Sequence, residues 1–335
     1  MNFDLTDDQR AIQRTARDFL AAGYKPEEIR RLAYETDRGF TDEGWQRICE
    51  LGWPALLVDE EHGGLGLGVV ELAVVQEELG AALAPSPFLS TIAAAALIAD
   101  AGSDEQRARW LPGLAAGEAR GTVATLRDGD GWSAVPDADG ADVVVLRDGD
   151  GWAVADGTGV SAEPAQALDP TRRLWSIEVG GEREPLHGDG ARAADVIAVA
   201  LAAESVGVAQ RTLDMAVAYA KEREQFGRPI GAYQAVSHAC AQMLLEVEGA
   251  RSTTLYAAWA LDHEPESGPL AASMAKAYAS DAGWRVPAAA LQVHGGIGFT
   301  WEHDLHLWLK RAQCDAVLLG DARWHRARVA DLAGI

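Results

Sequence analysis

The stretch from Ala193 to Lys221 is Ala-rich and contains no proline, a pattern that reads as one long helix. Segments of similar character follow at Tyr233 to Leu261, at Pro269 to Val293 across Pro287, and from Glu302 to Leu332. Four long helices of this kind pack naturally as an antiparallel bundle. The amino-terminal part is helical too. Leu5, Ile12, Ala16, Phe19 and Leu20 recur near helical spacing, with Thr6 and Asp7 placed to cap the start. Gly63 to Gly68 (GGLGLG) breaks the pattern, and Val69 to Leu83 resumes it with Glu77 and Glu78 on its polar side. Pro85 and Pro87 punctuate a turn before an Ala-rich helix from Thr91 to Ala101. Another helix, from near Asp104, is expected to run out at Pro112 and Gly113.

Between these helical parts the composition changes. Ala141 to Leu146 (ADVVVL) and Trp152 to Asp156 (WAVAD) are short β-type runs separated by Asp-Gly pairs, which is a hairpin pattern. The hexapeptide RDGDGW occurs at Arg127 to Trp132 and again at Arg147 to Trp152. A calcium loop would need further ligands at fixed spacing and a closing Glu, which are absent, so both copies read as tight turns. The fold class is therefore mostly α with a small β domain. An amino-terminal helical domain covers 1–118, a middle β domain 119–190, and a carboxy-terminal helical bundle 191–335.

Charge and motifs exclude several functions. Lys and Arg number 29 against 51 Asp and Glu, a formal charge of −22, which repels nucleic-acid phosphates and anionic membranes. A local basic site for a phosphorylated ligand is still compatible with it. Cys49, Cys240 and Cys314 are odd in number and far apart, without zinc spacing. The start of the chain lacks a signal-peptide layout, and Thr91 to Ala99 is too short to span a bilayer, so a cytoplasmic location is expected. No Gly-x-Ser-x-Gly elbow, P-loop or HExxH occurs, and the glycines of Gly63 to Gly68 lack the strand that a dinucleotide loop requires.

Two segments are more specific. KEREQFGRPIGAYQ (Lys221 to Gln234) places Arg223 and Arg228 in a very acidic chain, beside an aromatic Phe226, with Gly227 expected to end the helix. Its bland account is a helix cap and a core Phe. QVHGGIGFTW (Gln292 to Trp301) offers a directional amide at Gln292, and Gly295, Gly296 and Gly298 would let the backbone approach something closely. Its bland account is an ordinary inter-helix turn.

Together and in this order, these segments resemble the acyl-CoA dehydrogenase family, and the resemblance covers nearly the whole chain. Leu51 to Gly80 and Asp104 to Glu118 are similar to that family's amino-terminal domain, and Gly207 to Val236 and Leu291 to Ala312 to its carboxy-terminal bundle. The resemblance implies FAD as cofactor and oxidation of an acyl-CoA thioester to its α,β-enoyl product. A glutamate removes the α-proton, and the β-hydrogen leaves as hydride. It further implies that each FAD is shared between subunits, the neighbour supplying segments for the pyrophosphate and adenine end. On that basis Arg223, Gln225, Phe226, Gly227, Gln234, Gln292, Gly295 and Gly296 would contact a neighbour's FAD.

The chain departs from the family where the chemistry should sit. The Thr-Glu-Pro…Gly-Ser-Asp stretch that binds the flavin ring is replaced by GTVATLRDGDGW (Gly121 to Trp132), and the middle β domain is reduced. The usual base, in a Tyr-Glu-Gly-Thr run, is replaced by Gly320 in LLGDARWHRAR. The alternative base position is Ile197, followed by Ala198 where an Arg is usual. Two carboxylates are candidate substitutes. Asp321 lies one residue beyond the first position, and Glu204 lies two helical turns beyond the second, within apolar IAVALAAESVGVA. Burial there would raise the pKa of Glu204. The alternative for Glu204 is a buried ion pair or hydrogen bond with a partner subunit.

Retained FAD contacts with a lost ring site and lost base imply a non-catalytic subunit of an α2β2 heterotetramer. It would complete the FAD site of a larger acyl-CoA dehydrogenase paralogue. The acyl-CoA, steroid-derived by analogy, would bind at the partner's site and electrons would leave to an electron-transfer acceptor. The competing readings are a self-sufficient dehydrogenase using Glu204 or Asp321, and a non-enzymatic homologue that has lost FAD.

Overall fold

The computed structural model describes residues 4–335; Met1 to Phe3, the first residues of the segment read for a targeting signal, lie outside the described residues. Six helices come first: α1 (Asp7–Gly23), α2 (Pro26–Glu35), α3 (Asp42–Glu50), α4 (Val69–Ala82), α5 (Phe88–Ala101) and α6 (Asp104–Ala116). Eight strands follow: β1 (Gly121–Ala124), β2 (Leu126–Asp128), β3 (Gly131–Pro136), β4 (Val143–Asp148), β5 (Gly151–Asp156), β6 (Val160–Ala165), β7 (Leu174–Val179) and β8 (Arg183–Pro185). The chain then forms α7 (Ala191–Glu222), a small hairpin of β9 (Glu224–Gln225) and β10 (Arg228–Pro229), α8 (Gln234–His263), α9 (Gly268–His294), α10 (Leu305–Val317) and α11 (Ala322–Ala333).

Two compact units are present. One comprises Ile29–Leu72 and Pro85–Ile197. Its strands form two four-stranded sheets, in the orders β1-β4-β5-β8 and β2-β3-β7-β6, around a core that includes Trp132, Trp175, Val144 and Leu146. Both RDGDGW copies are tight hairpin turns. Asp128 pairs with Gly131 and Asp148 with Gly151, and Gly129 and Gly149 take positive φ at the first loop position. Two expected helix boundaries move. The fifth helix starts at Phe88, which packs edge-on against Trp53 at 6.1 Å, rather than at Thr91. The sixth passes through Pro112 to Ala116 and ends at Gly117 (φ 71°), because Leu111, Leu114 and Ala115 are buried and hold the last turn. The glycine run at 63–68 does break the helix, with positive φ at Gly63 and Gly66.

The other unit comprises the amino-terminal segment through Glu28, Ala73–Ala84 and Ala198–Ile335. Thr6 caps α1 in a reciprocal box with Gln9, as its position predicts. At its centre α9 packs against α8, α10 and α11. The residues of α4 from Ala73 onward are closely packed against α7. A Cβ at Gly80 would overlap the Glu204 carbonyl, and one at Gly207 would overlap that of Glu77, so both glycines are needed for the helices to touch.

Glu77 and Glu78 therefore do not face water as expected. Glu78 pairs with Arg17 at 2.7 Å, and Glu77 with Arg251 at 3.0 Å, which also reaches Gln210. The last segment is not one helix but two. Leu319 and Gly320 both take positive φ (58° and 95°) and separate α10 from α11. An 18-residue window of α7 is apolar enough to cross a membrane, but 89% of it is buried in the protein, which marks a core helix.

Candidate functional site

The helix α7 stops at Glu222, five residues before the glycine expected to end it. The Arg223 N–H closes the last turn on Tyr219 O at 2.8 Å, and Ile230 N–H donates to Arg223 O at 2.8 Å. Between them β9 and β10 pair antiparallel, Gln225 opposite Arg228. Phe226 (φ 54°) and Gly227 (φ 80°) form the two-residue loop, the conformation of a type I′ turn. Glycine enters that region freely, whereas a Phe there carries about 1–2 kcal/mol of strain. Phe226 is nevertheless 92% exposed, so the core-Phe account fails. A strained residue that also exposes an aromatic ring to water is held for a purpose other than packing this chain.

Tyr233, which the sequence reading passed over, braces the hairpin. Its hydroxyl donates to Gln225 O at 3.1 Å, its ring lies under the Arg228 guanidinium at 4.1 Å, and Phe226 meets it edge-on at 6.5 Å. Lys221 to Arg228 are all exposed, and Arg223 makes no ion pair among the described residues. A 3-10 turn (Ile230–Ala232) leads from the hairpin to α8, which begins at the exposed Gln234, and no side-chain oxygen caps that helix start. Unpaired cations, an uncapped helix start and an exposed aromatic face thus share one edge, a combination suited to an anionic, ring-bearing ligand.

The second segment lies alongside. His294, in the last turn of α9, stacks on Tyr219 at 4.7 Å, which brings the α9 terminus beside the end of α7. Gln292 is exposed in that last turn. Gly295 has φ 62° and ψ −140°, a region reserved to glycine. A Cβ at Gly295 or Gly296 would meet nothing within 4 Å, so the space over both backbone groups is open from outside. Gly298 differs from the expectation. A Cβ there would lie 3.0 Å from His294 Cβ, so its close approach is internal packing. Trp301 is exposed, its ring under Lys310 Nζ at 4.6 Å.

Neither base position carries a carboxylate. A Cβ on Gly320 would lie 2.7 Å from Trp324 Cε3 and φ 95° strains any side chain, so a glutamate there requires Trp324 and the backbone to shift. The linker is anchored by Lys276 on α9, which is fully buried. Its Nζ donates to Asp315 O at 2.9 Å, Ser280 Oγ at 3.1 Å and Gly320 O at 3.3 Å, and burial lowers its pKa to about 8. Asp321 caps α11, its carboxylate accepting from Trp324 N–H at 2.8 Å. Ile197 and Ala198 are buried and apolar. Glu204 accepts from Arg311 Nη1 at 2.6 Å, with both side chains 3% exposed. The ion pair anticipated as the alternative for Glu204 exists, but within this chain rather than across a subunit boundary. Where the flavin-ring motif would lie, Thr122 is buried and donates its hydroxyl to Pro136 O, and Gly121 N–H is taken by Thr91 Oγ1 at 3.2 Å.

The same segments place the chain among known proteins. Residues 6–118 match the family Acyl-CoA dehydrogenase, N-terminal domain, and residues 192–333 match Acyl-CoA dehydrogenase, C-terminal domain. The acyl-CoA dehydrogenase IpdE2 of Mycobacterium tuberculosis is 40% identical over 319 residues, covering 95% of this chain and 94% of the relative. The solved structure of a variant of the Tcur3481-Tcur3483 steroid ACAD superposes with TM-score 0.88 at 30% identity, covering 98% of both chains. The ChsE4-ChsE5 complex from Mycobacterium tuberculosis superposes with TM-score 0.91 at 26% identity, covering 100% of this chain and 99% of that one. Two domain matches spanning most of the sequence, a full-length relative and the shared architecture lead to one assignment: this chain belongs to the acyl-CoA dehydrogenase family.

Proposed function

We propose that this acyl-CoA dehydrogenase chain works as the non-catalytic subunit of a heteromer, completing the FAD site of a larger paralogue in an α2β2 assembly. In this reading the three regions 1–118, 119–190 and 191–335 act as helical domain, reduced β domain and cofactor-contacting bundle. The observation that carries it is a contrast within one unit. The edge formed by Arg223, Phe226, Gly227, Gln292, Gly295 and Gly296 faces outward and open, while position 320 holds a positive-φ glycine against Trp324 in place of a carboxylate.

That edge fits the diphosphate and adenine half of FAD. Arg223 and Arg228 supply charge, Gln225, Gln234 and Gln292 supply amide groups, Gly227, Gly295 and Gly296 leave room for close approach, and Phe226 offers a ring face. When bound, FAD supplies acceptance of the substrate's β-hydrogen as hydride. This chain's residues would bind and orient its nucleotide half only, and the proton-abstracting carboxylate would come from the partner. Two solved relatives support a paired assembly by name, one described as a complex and one as a steroid ACAD with two named components. The steroid ACAD also supports a bulky, steroid-derived acyl-CoA as the substrate at the partner's site. In this reading electrons pass on to an electron-transfer acceptor in the cytoplasm.

Flavin stoichiometry tests the proposal. The chain purified alone should be colourless, and co-expression with the larger paralogue should yield one FAD per heterodimer, lost on Arg223→Ala. One FAD per copy of this chain alone, with dehydrogenase turnover, would overturn it.

A further inference from the structure

Two segments from different helices must meet one ligand if the proposed function holds, and three aromatic residues lie where they join. Tyr219 is one turn before Arg223 on α7, and its carbonyl accepts the Arg223 N–H. His294 sits between Gln292 and Gly295. It is buried, its Nδ1–H donates to Ala290 O at 2.8 Å, and its ring stacks on Tyr219 at 4.7 Å with the planes 25° apart. His303, just ahead of α10, meets His294 edge-on at 4.5 Å and takes the Leu305 N–H on its own Nδ1 at 3.2 Å. The ends of three helices are therefore tied through one imidazole. Gly231 adds a second tie at the base of the hairpin, where a Cβ would come within 2.9 Å of Ala220 O.

We infer that Tyr219, His294 and His303 form a positioning stack that fixes the spacing between the Arg223 hairpin and the Gln292–Gly296 turn. The inference rests on the proposed FAD role of those segments. None of the three needs to touch the ligand. Lys221 to Arg228 are exposed and Tyr233 braces the hairpin from its own side, so the stack on Tyr219 is the contact that links the end of α7 to the Gln292–Gly296 turn. Pre-setting that distance removes an ordering cost that binding would otherwise carry. Burial of His294 and the Nδ1 bond to Ala290 fix the ring's orientation, and flat stacking transmits it to the last turn of α7. An aromatic ring at 294 supplies the stack; the imidazole adds the bond to Ala290.

The test uses the co-expressed complex stripped of flavin, with affinities for FAD, ADP and FMN measured by fluorescence titration. His294→Ala should weaken FAD and ADP binding by about tenfold, leave FMN binding unchanged, and be largely rescued in His294→Phe, which keeps the stack. Tyr219→Ala should behave like His294→Ala. Equal losses for ADP and FMN would mean general damage to the fold and would overturn the inference. So would wild-type ADP affinity in His294→Ala while Arg223→Ala loses it. Unchanged ADP and FAD affinity in Arg223→Ala would instead remove the underlying reading of the site.

Discussion

Glu204 is the residue on which a structural and a catalytic account of this chain make opposite predictions. Its carboxylate and the Arg311 guanidinium are 2.6 Å apart with both side chains 3% exposed, at the point where α7 meets α4 without intervening side chains. Removing one member of a buried pair leaves the other charged and desolvated, at about 3–5 kcal/mol, whereas replacing both with apolar groups of similar volume is often neutral. Glu204→Gln, Glu204→Leu and Arg311→Met are each expected to cost about 3 kcal/mol or more. Glu204→Leu combined with Arg311→Met should return to within about 1 kcal/mol of the parent, giving a coupling energy of about 5 kcal/mol. Urea unfolding of the parent, the single variants and the double variant supplies these values, with flavin reduction by acyl-CoA measured on the same complexes. Stability loss without loss of turnover is the expected pattern. A Glu204→Gln complex with unchanged stability and abolished turnover would refute the reasoning and make Glu204 a base.

Gly320→Glu should fail to create activity and should destabilise the chain, since its Cβ would lie 2.7 Å from Trp324 Cε3 at φ 95°; turnover gained by this variant in a base-deleted complex would contradict the expectation. Phe226→Gly relieves left-handed strain at the cost of added chain entropy. It should leave stability within about 1 kcal/mol of the parent yet reduce FAD retention in the complex, measured by flavin absorbance after gel filtration. His325 is buried, and burial together with the nearby Lys276 charge lowers its pKa from 6.5 to about 4 while its Nε2–H donates to Leu319 O at 3.0 Å. A depressed folded-state pKa means the unfolded chain takes up the proton first. Its contribution is therefore full above pH 6.5 and declines by roughly 3 kcal/mol as pH falls to 4. In His325→Gln the pH dependence of unfolding between 4 and 6.5 should flatten.

Much of this protein is written in local sequence. Helices at 193–221 and 233–261, the Asp-Gly hairpins and the Thr6 cap follow from periodicity and turn chemistry, which act within a few residues. The residue types of the proposed anion-binding edge stand out in the sequence as well, because Arg223, Gln292 and the glycine pair sit in an acidic chain. Tertiary contacts decided the rest. Whether Phe226 packs or projects depends on the fold around it, and Tyr233 became a brace only once the hairpin closed. The polar stripe at Glu77 and Glu78 turned inward because Arg17 and Arg251, distant in sequence, arrive to pair with them. The last segment split because buried Lys276 draws the carbonyls of Asp315 and Gly320 to one point, which a continuous helix cannot offer. Sequence shows that Gly320 is not a glutamate; only the fold shows that its backbone is left-handed and that a Cβ there would press on Trp324. Local chemistry sets which groups a chain possesses, and the distances that decide whether they are buried, paired or offered outward arise when remote segments meet.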